Sequence, residues 1–148
     1  MVTGESTRGT ADDAAAARVG ELVGLVGLAR YVDMPAGILS YGQKKLVALA
    51  AALMPKPRLV VLDEPDAGLD RAGEQALLRA LCDLKGCGAT VIVVSHRPSL
   101  LAQVDKLLVL DGGRATHFGP RAEVMQRFAA RAEPGPHPVP HLVVGAAA

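Results

Sequence analysis

The stretch Leu59-Val60-Val61-Leu62-Asp63-Glu64-Pro65 decides the fold of this chain. Four successive apolar residues are typical of a strand that is buried on both faces, between layers of helices. Asp63 and Glu64 follow at the carboxyl end of the strand, the edge at which α/β sheets bind ligands. One carboxylate there can hold Mg²⁺ through its water shell while the other orients an attacking water. The alternative is two solvated acids in a turn.

The segments around this strand alternate between helical and strand patterns, which predicts one βαβ-type layered domain. A helix beginning at Asp12 comes first. The other predicted elements are a helix over 42–54, the strand 59–62, a helix over 71–85 with Asp70 as its N-cap, a strand over 90–94, a short helix from Pro98, a hairpin of strands 104–110 and 114–118, and a helix over 120–130.

The ends of the chain have a different composition from its middle. Residues 1–11 precede any apolar run and are interpreted as a flexible leader. From residue 133 onward Pro, Gly, His and small residues dominate, which predicts a disordered tail over 133–148. The domain therefore spans 12–132, as a helical region 12–57 and a catalytic core region 58–132.

A second candidate site lies at the start of the predicted helix, in Ser40-Tyr41-Gly42-Gln43. The amide groups of a helix N-terminus, its dipole and a serine hydroxyl together can bind an anion such as a nucleotide phosphate. An ordinary capped helix has the same parts. His96 follows the strand 90–94 and can reach a phosphate and the water-orienting acid; a plain loop histidine is the alternative.

Composition narrows the class of protein. The formal net charge is +1 over 148 residues, with basic residues scattered, so no nucleic-acid surface is predicted. The apolar runs are too short to span a bilayer and no signal peptide is recognisable, which predicts a cytoplasmic chain without direct membrane insertion. Cys82 and Cys87 are interpreted as reduced thiols, with Cys82 a candidate for the core; a disulfide or metal site is a minor alternative.

Taken in order, these motifs resemble the C-terminal half of an ABC transporter ATP-binding subunit, over about residues 14–130. Leu39–Gln43 resembles the signature motif, although Tyr41 replaces the first glycine of the usual Leu-Ser-Gly-Gly-Gln. Residues 59–64 resemble the Walker B strand, and Ala67–Asp70 the D-loop. His96 resembles the switch histidine.

The resemblance implies a P-loop NTPase fold, ATP and Mg²⁺ as cofactors, and a role for each motif. Asp63 would be the magnesium-site aspartate, Glu64 the catalytic base and His96 its catalytic partner. The nucleotide-binding residues would be Ser40, Gly42, Gln43 and Asp70. The first three would contact the γ-phosphate held by the opposite subunit of a head-to-tail dimer, which docks on a transmembrane permease at the cytoplasmic face of the membrane.

The two halves resemble different branches of the family. The signature region, including Pro35-Ala36-Gly37 and Lys44-Lys45-Leu46, looks like subunits for branched-chain amino acid uptake. The segment from Val91 to Leu110 looks more like the ATPases of type I protein secretion exporters. The chain is therefore a mosaic, an engineered hybrid or a divergent member of one branch, and the sequence does not decide among these. It does not identify the transported substrate either.

The sequence contains no Gly-Lys dipeptide and therefore no G-x-x-x-x-G-K-[ST] loop. Only 38 residues precede Leu39, too few for the Walker A strand, its loop and its helix. The prediction is a partial P-loop NTPase fold with a mainly parallel sheet, flanking helices and the Walker A strand missing. Residues 89–95 should then have an open apolar edge, which favours unwanted pairing.

Three functional interpretations follow. The first is an ABC-type ATPase fragment that is inactive alone. The second is a non-catalytic partner that supplies the signature motif in trans to a complete ABC subunit, and the third is a non-functional fragment. A lobe of an SMC-like chromosome ATPase is disfavoured, because residues 1–38 contain no heptad coiled coil.

Overall fold

The computed structural model describes residues 6–131 and 141–146, with side chains over 12–127. The helices and strands predicted between residues 42 and 130 are confirmed, with small shifts at their ends. The helices are α1 Ser6–Leu25, α2 Tyr41–Leu53, α3 Arg71–Gly86, α4 Pro98–Leu101 and α5 Arg121–Arg131, and 3₁₀ turns occupy Ala29–Tyr31 and Ala36–Ile38. The strands are β1 Leu59–Asp63, β2 Thr90–Val94, β3 Lys106–Asp111, β4 Arg114–Pro120 and β5 His141–Ala146.

The chain folds as two compact units. Of the described residues, the first unit comprises those up to Pro57 together with Gly68–Arg79, and the second comprises Arg58–Ala67 and those from Ala80 onward. The sequence interpretation assigned residues 68–79 to the catalytic core region, whereas they belong to the first unit. The loop after β1 therefore leaves the second unit at Ala67, and the chain returns to that unit within α3.

The first unit is built around helices α1 and α2. Apolar side chains recur at helical spacing on both helices: Leu22 of α1 and Leu46 and Leu53 of α2 are each at most 4% exposed, as is Val26 directly after α1. Arg18 of α1 donates to the carbonyl oxygen of Leu53 at the end of α2, at 3.3 Å. This unit presents the N-terminus of α2, where the signature-like motif lies.

The second unit contains one five-stranded sheet, in the order β1-β2-β5-β3-β4. β1 and β2 are parallel, and β5 pairs antiparallel to both β2 and β3. β3 and β4 form the predicted hairpin. β1, β2 and β3 thus run in one direction, so their carboxyl ends lie at one edge of the sheet.

β1 lies at the edge of the sheet, which the sequence did not predict. Val60 is buried, but Leu59 is 55% exposed and Val61 63% exposed, so the prediction of burial on both faces is wrong. An unbroken apolar run does not by itself distinguish a central strand from an edge strand with one face in solvent.

β5 overturns the prediction of an open edge at residues 89–95. Val91 to Val94 of β2 pair with Ala146 to Val143 of β5, whose other side pairs with β3. The prediction of a disordered tail is therefore wrong for His141–Ala146. Leu142, Val143 and Val144 have high β-propensity, and pairing on both sides satisfies the backbone of this short apolar segment.

The prediction of a flexible leader over residues 1–11 is wrong in part. Residues 6–11 of the predicted flexible leader belong to α1. Residues 1–5, 132–140 and 147–148 lie outside the described part of the chain.

Cys82 and Cys87 are free thiols, but Cys82 is exposed, so its assignment to the core is wrong. It lies on the solvent side of α3, where its Sγ contacts Gln103 at 3.9 Å. No helix in the described residues is long and apolar enough to cross a bilayer.

Candidate functional site

The chain turns sharply as it leaves β1. Glu64 adopts a positive φ of 42°, which non-glycine residues seldom do. Its amide donates to the carbonyl oxygen of Val94 at 2.8 Å, and its own carbonyl accepts from the amide of Ala67 at 3.2 Å. The first bond continues the β1–β2 ladder by one residue, so Glu64 is held at the carboxyl end of both strands.

The side chains of Glu64 and His96 meet at this edge. Nδ1 of His96 lies 3.0 Å from Oε1 of Glu64, the contact with the water-orienting acid that the sequence predicted. Both side chains are accessible, His96 at 57% and Glu64 at 45%. A histidine and a carboxylate in contact at an open sheet edge can exchange a proton and orient a water molecule.

Beneath this pair lies a polar cluster that the sequence did not reveal. Asp66 is only 2% exposed, and its Oδ1 accepts a hydrogen bond from the hydroxyl of Ser95 at 3.0 Å. Its Oδ2 lies 2.8 Å from Nε of Arg97. The signal in the sequence was an aspartate two residues after Glu64, but nothing local distinguishes a buried acid from a turn residue.

Asp63 is the last residue of β1 and is exposed. Among the described side chains, no three His, Cys, Asp or Glu residues are grouped closely enough to form a metal cage. The carboxylates of Asp63 and Glu64 suit a Mg²⁺ ion, which keeps several of its own waters and binds through one or two carboxylates plus substrate phosphates.

In the first unit, Ser40 begins α2 with a complete capping box. Its hydroxyl accepts from the amide of Gln43 at 3.2 Å, and its own amide donates to Oε1 of Gln43 at 2.8 Å. The amides of Tyr41 and Gly42 lie in the first turn and have no intrahelical acceptor. The capping box thus fixes the start of α2 at Ser40.

Tyr31 is a second residue that sequence reasoning missed. Its hydroxyl oxygen accepts from Nε2 of Gln43 at 3.0 Å and from Nη2 of Arg30 at 2.8 Å. The side-chain amide of Gln43 is consequently fixed at both ends, by Ser40 and by Tyr31. An aromatic residue shortly before the signature-like motif was the only signal available.

The loop after β1 returns to this helix start. Asp70 caps α3, because its Oδ1 accepts from the amide of Gly73 at 2.8 Å, as predicted. Ser40, Gly42, Gln43 and Asp70 line one cavity of about 410 Å³ within the first unit, together with Tyr31 and two arginines, Arg30 and Arg79. The four residues predicted to bind nucleotide are therefore grouped.

The family model for an AAA domain, described as a putative AbiEii toxin of a type IV toxin–antitoxin system, matches residues 14–102. A type I secretion ATP-binding protein, PrsD of Rhizobium meliloti, is 53% identical over 87 residues, which are 59% of this chain and 15% of that protein. The cobalt import ATP-binding protein CbiO of Rhodobacter capsulatus is 36% identical over 131 residues, covering 88% of this chain and 47% of that protein.

The solved structures that resemble this chain include ATP-binding subunits of ABC transporters. MJ1267, an ATP-binding cassette of an ABC transporter, superposes in its ADP conformation with a TM-score of 0.66 at 29% identity, over 79% of this chain and 46% of that one. The cbiO1 subunit from Clostridium perfringens, part of the transporter complex cbiONQ, has a TM-score of 0.68 at 32% identity, over 80% and 48%.

The chain spans less than half the length of these relatives. The resemblance to ABC ATPases and the α/β P-loop NTPase fold class are confirmed, and a type I secretion protein is among the relatives as the second half of the sequence suggested. The chain belongs to the AAA-domain family, and its homologues and structural neighbours are ATP-binding subunits of ABC transporters.

Proposed function

We propose that this chain is part of the ATP-binding subunit of an ABC transporter and that the end of β1 carries its hydrolytic residues. The contact of 3.0 Å between His96 and Glu64 carries this proposal. It brings together two residues that lie 32 positions apart in the sequence, at the edge where parallel strands place ligands.

Each residue of this edge has a distinct task. Asp63 is exposed at the strand end and would be the residue that holds Mg²⁺. Glu64 orients the attacking water and accepts its proton, while His96 holds the Glu64 carboxylate and donates to the phosphate being cleaved. ATP would supply the phosphoryl group, and Mg²⁺ would neutralise negative charge on its phosphates.

The sequence contains no Gly-Lys dipeptide to form a phosphate cradle. Phosphoryl transfer depends mainly on positioning and charge stabilisation, so the isolated chain should not turn over ATP. Phosphate release by the purified chain, by Glu64→Gln and by His96→Ala should all equal the buffer rate. If the wild-type chain hydrolyses ATP and Glu64→Gln abolishes that hydrolysis, the predicted inactivity is contradicted. Turnover that Glu64→Gln leaves unchanged would contradict the hydrolytic role of Glu64.

A second candidate function is to complete the nucleotide site of another ABC subunit in trans. The observation in its favour is the capping box at Ser40, which presents the first-turn amides of α2 in a fixed geometry. Ser40, Gly42 and Gln43 would then contact the γ-phosphate that the partner holds, in a head-to-tail pair docked on a permease at the cytoplasmic face of the membrane.

This second function is tested by co-elution with a complete ABC ATP-binding subunit whose hydrolysis has been blocked. Association should require ATP and should be lost in Ser40→Arg, because the longer cation occupies the phosphate position. Thr116→Arg adds the same charge to an exposed residue of β4 and should leave association unchanged. Absence of any ATP-dependent complex would exclude this function.

A further inference from the structure

Asp66 links the loop that carries Glu64 to the loop that carries His96. It lies two residues after Glu64 and is almost fully buried. Its two carboxylate oxygens contact the residues on either side of His96: Oδ1 contacts the hydroxyl of Ser95 at 3.0 Å, and Oδ2 contacts Nε of Arg97 at 2.8 Å.

The same cluster fixes the backbone next to His96. The amide of Arg97 donates to the hydroxyl of Ser95 at 3.1 Å, so this hydroxyl accepts one hydrogen bond while it donates another to Asp66. Ser95 is itself only 2% exposed. A buried carboxylate that accepts both a hydroxyl and a guanidinium bond is a rigid anchor, because charge-assisted bonds are strong where water is excluded.

The contact between Glu64 and His96 is too weak to hold the two side chains together without other support. Glu64 and His96 are both about half exposed, and a pair in that environment is weakened by solvent screening and by the side-chain entropy lost on contact. The β1–β2 ladder holds the backbone of Glu64 at Val94, and Asp66 is the group that ties the loop beyond Glu64 to the two neighbours of His96.

We propose that Asp66, acting with Arg97, is a positioning residue that holds His96 within reach of Glu64. This inference rests on the proposed function for its purpose, since holding His96 near Glu64 serves the hydrolytic role proposed for Glu64. Its geometry can be tested without any ATP turnover.

The test follows the imidazole ¹⁵N signals of the full chain by NMR at fixed pH. His96→Gln identifies the His96 signals, and Glu64→Ala gives their position when the contact is absent. In Asp66→Asn, which keeps an acceptor for Ser95 but removes the charge opposite Arg97, the His96 signals should move to the position seen in Glu64→Ala. Arg97→Gln should have the same effect, and Arg97→Lys, which keeps the charge, should restore most of the wild-type position.

Asp105→Asn is the matched control, because it breaks an ion pair of equal length, 2.8 Å to Lys85, in the same unit. The His96 signals should stay at their wild-type position in this variant, even where its melting temperature falls as much as that of Arg97→Gln. Arg97 has a 41% exposed side chain, so its variants provide the test if Asp66→Asn does not fold.

Unchanged His96 signals in the folded Asp66→Asn and Arg97→Gln chains would overturn the proposal. Identical signals in the wild type and Glu64→Ala would overturn it as well, because no contact would exist to be positioned. Neither outcome depends on hydrolysis, so a failure here is distinguishable from a failure of the proposed ATPase role.

Discussion

Gly42 lies directly against the backbone of Gly68. A Cβ atom added to Gly42 would lie 2.6 Å from the carbonyl oxygen of Gly68, closer than van der Waals contact allows. Gly68 in turn adopts a positive φ of 77° and lies against the ring of Tyr41. The one glycine of the signature-like motif, Gly42, is therefore required by the close approach of Gly68 to the start of α2.

We expect Gly42→Ala to destabilise the first unit by about 1–3 kcal/mol, the typical cost of inserting a methyl group where there is no room. The methyl group meets backbone, which cannot rotate away. Urea unfolding followed by circular dichroism measures the change. Gly24→Ala is the matched control: nothing lies within 4 Å of its added Cβ, and alanine in a helix should stabilise α1 by up to about 1 kcal/mol. Equal effects of the two substitutions would contradict the close contact.

Ser40→Ala should destabilise the chain by about 1 kcal/mol through loss of the N-cap of α2, apart from any effect on nucleotide. Both bonds of the capping box depend on this residue or its partner Gln43. Ser40→Asn supplies another cap acceptor and should restore the unfolding midpoint. If Ser40→Asn and Ser40→Ala have the same unfolding midpoint, the cap contributes nothing to stability.

The amides of β5 should exchange slowly with deuterium, because β5 is bonded on both sides. Val144 lies opposite Val93 of β2 and Leu107 of β3. Val144→Pro removes a donor from a central strand and should increase exchange in β2 and β3 as well as in β5. His141→Pro changes the first residue of the strand, where proline is tolerated, and should have a much smaller effect. Fast exchange of residues 142–146 in the wild type would exclude β5 from the sheet.

Both thiols should react with an aromatic disulfide reagent in the native chain. Cys82 and Cys87 are free and exposed, so no unfolding is needed for access. Without denaturant, the wild-type chain should release two equivalents of the reagent's aromatic thiolate. The variants Cys82→Ser and Cys87→Ser should each release one equivalent. A thiol that reacts only after urea is added would show that its side chain is covered.

Sequence and structure agree where a local pattern decides the element. The apolar spacing of α2 and α3 and the caps at Ser40 and Asp70 act within a few residues, so the sequence predicted these helices and their starts. The run Leu59–Leu62 was correctly predicted as a strand. Its position in the sheet was not, because position depends on which other strands pair with it.

By itself the sequence determined the order of motifs, the α/β class, and the placement of Asp63, Glu64 and His96 at strand ends, since these follow from short-range periodicity. Only the tertiary structure decided that His141–Ala146 pairs between β2 and β3. It also decided that Asp66 is buried against Ser95 and Arg97. Both are contacts between residues far apart in the chain, and their free energy comes from satisfying backbone and charged groups away from water, which no local pattern encodes.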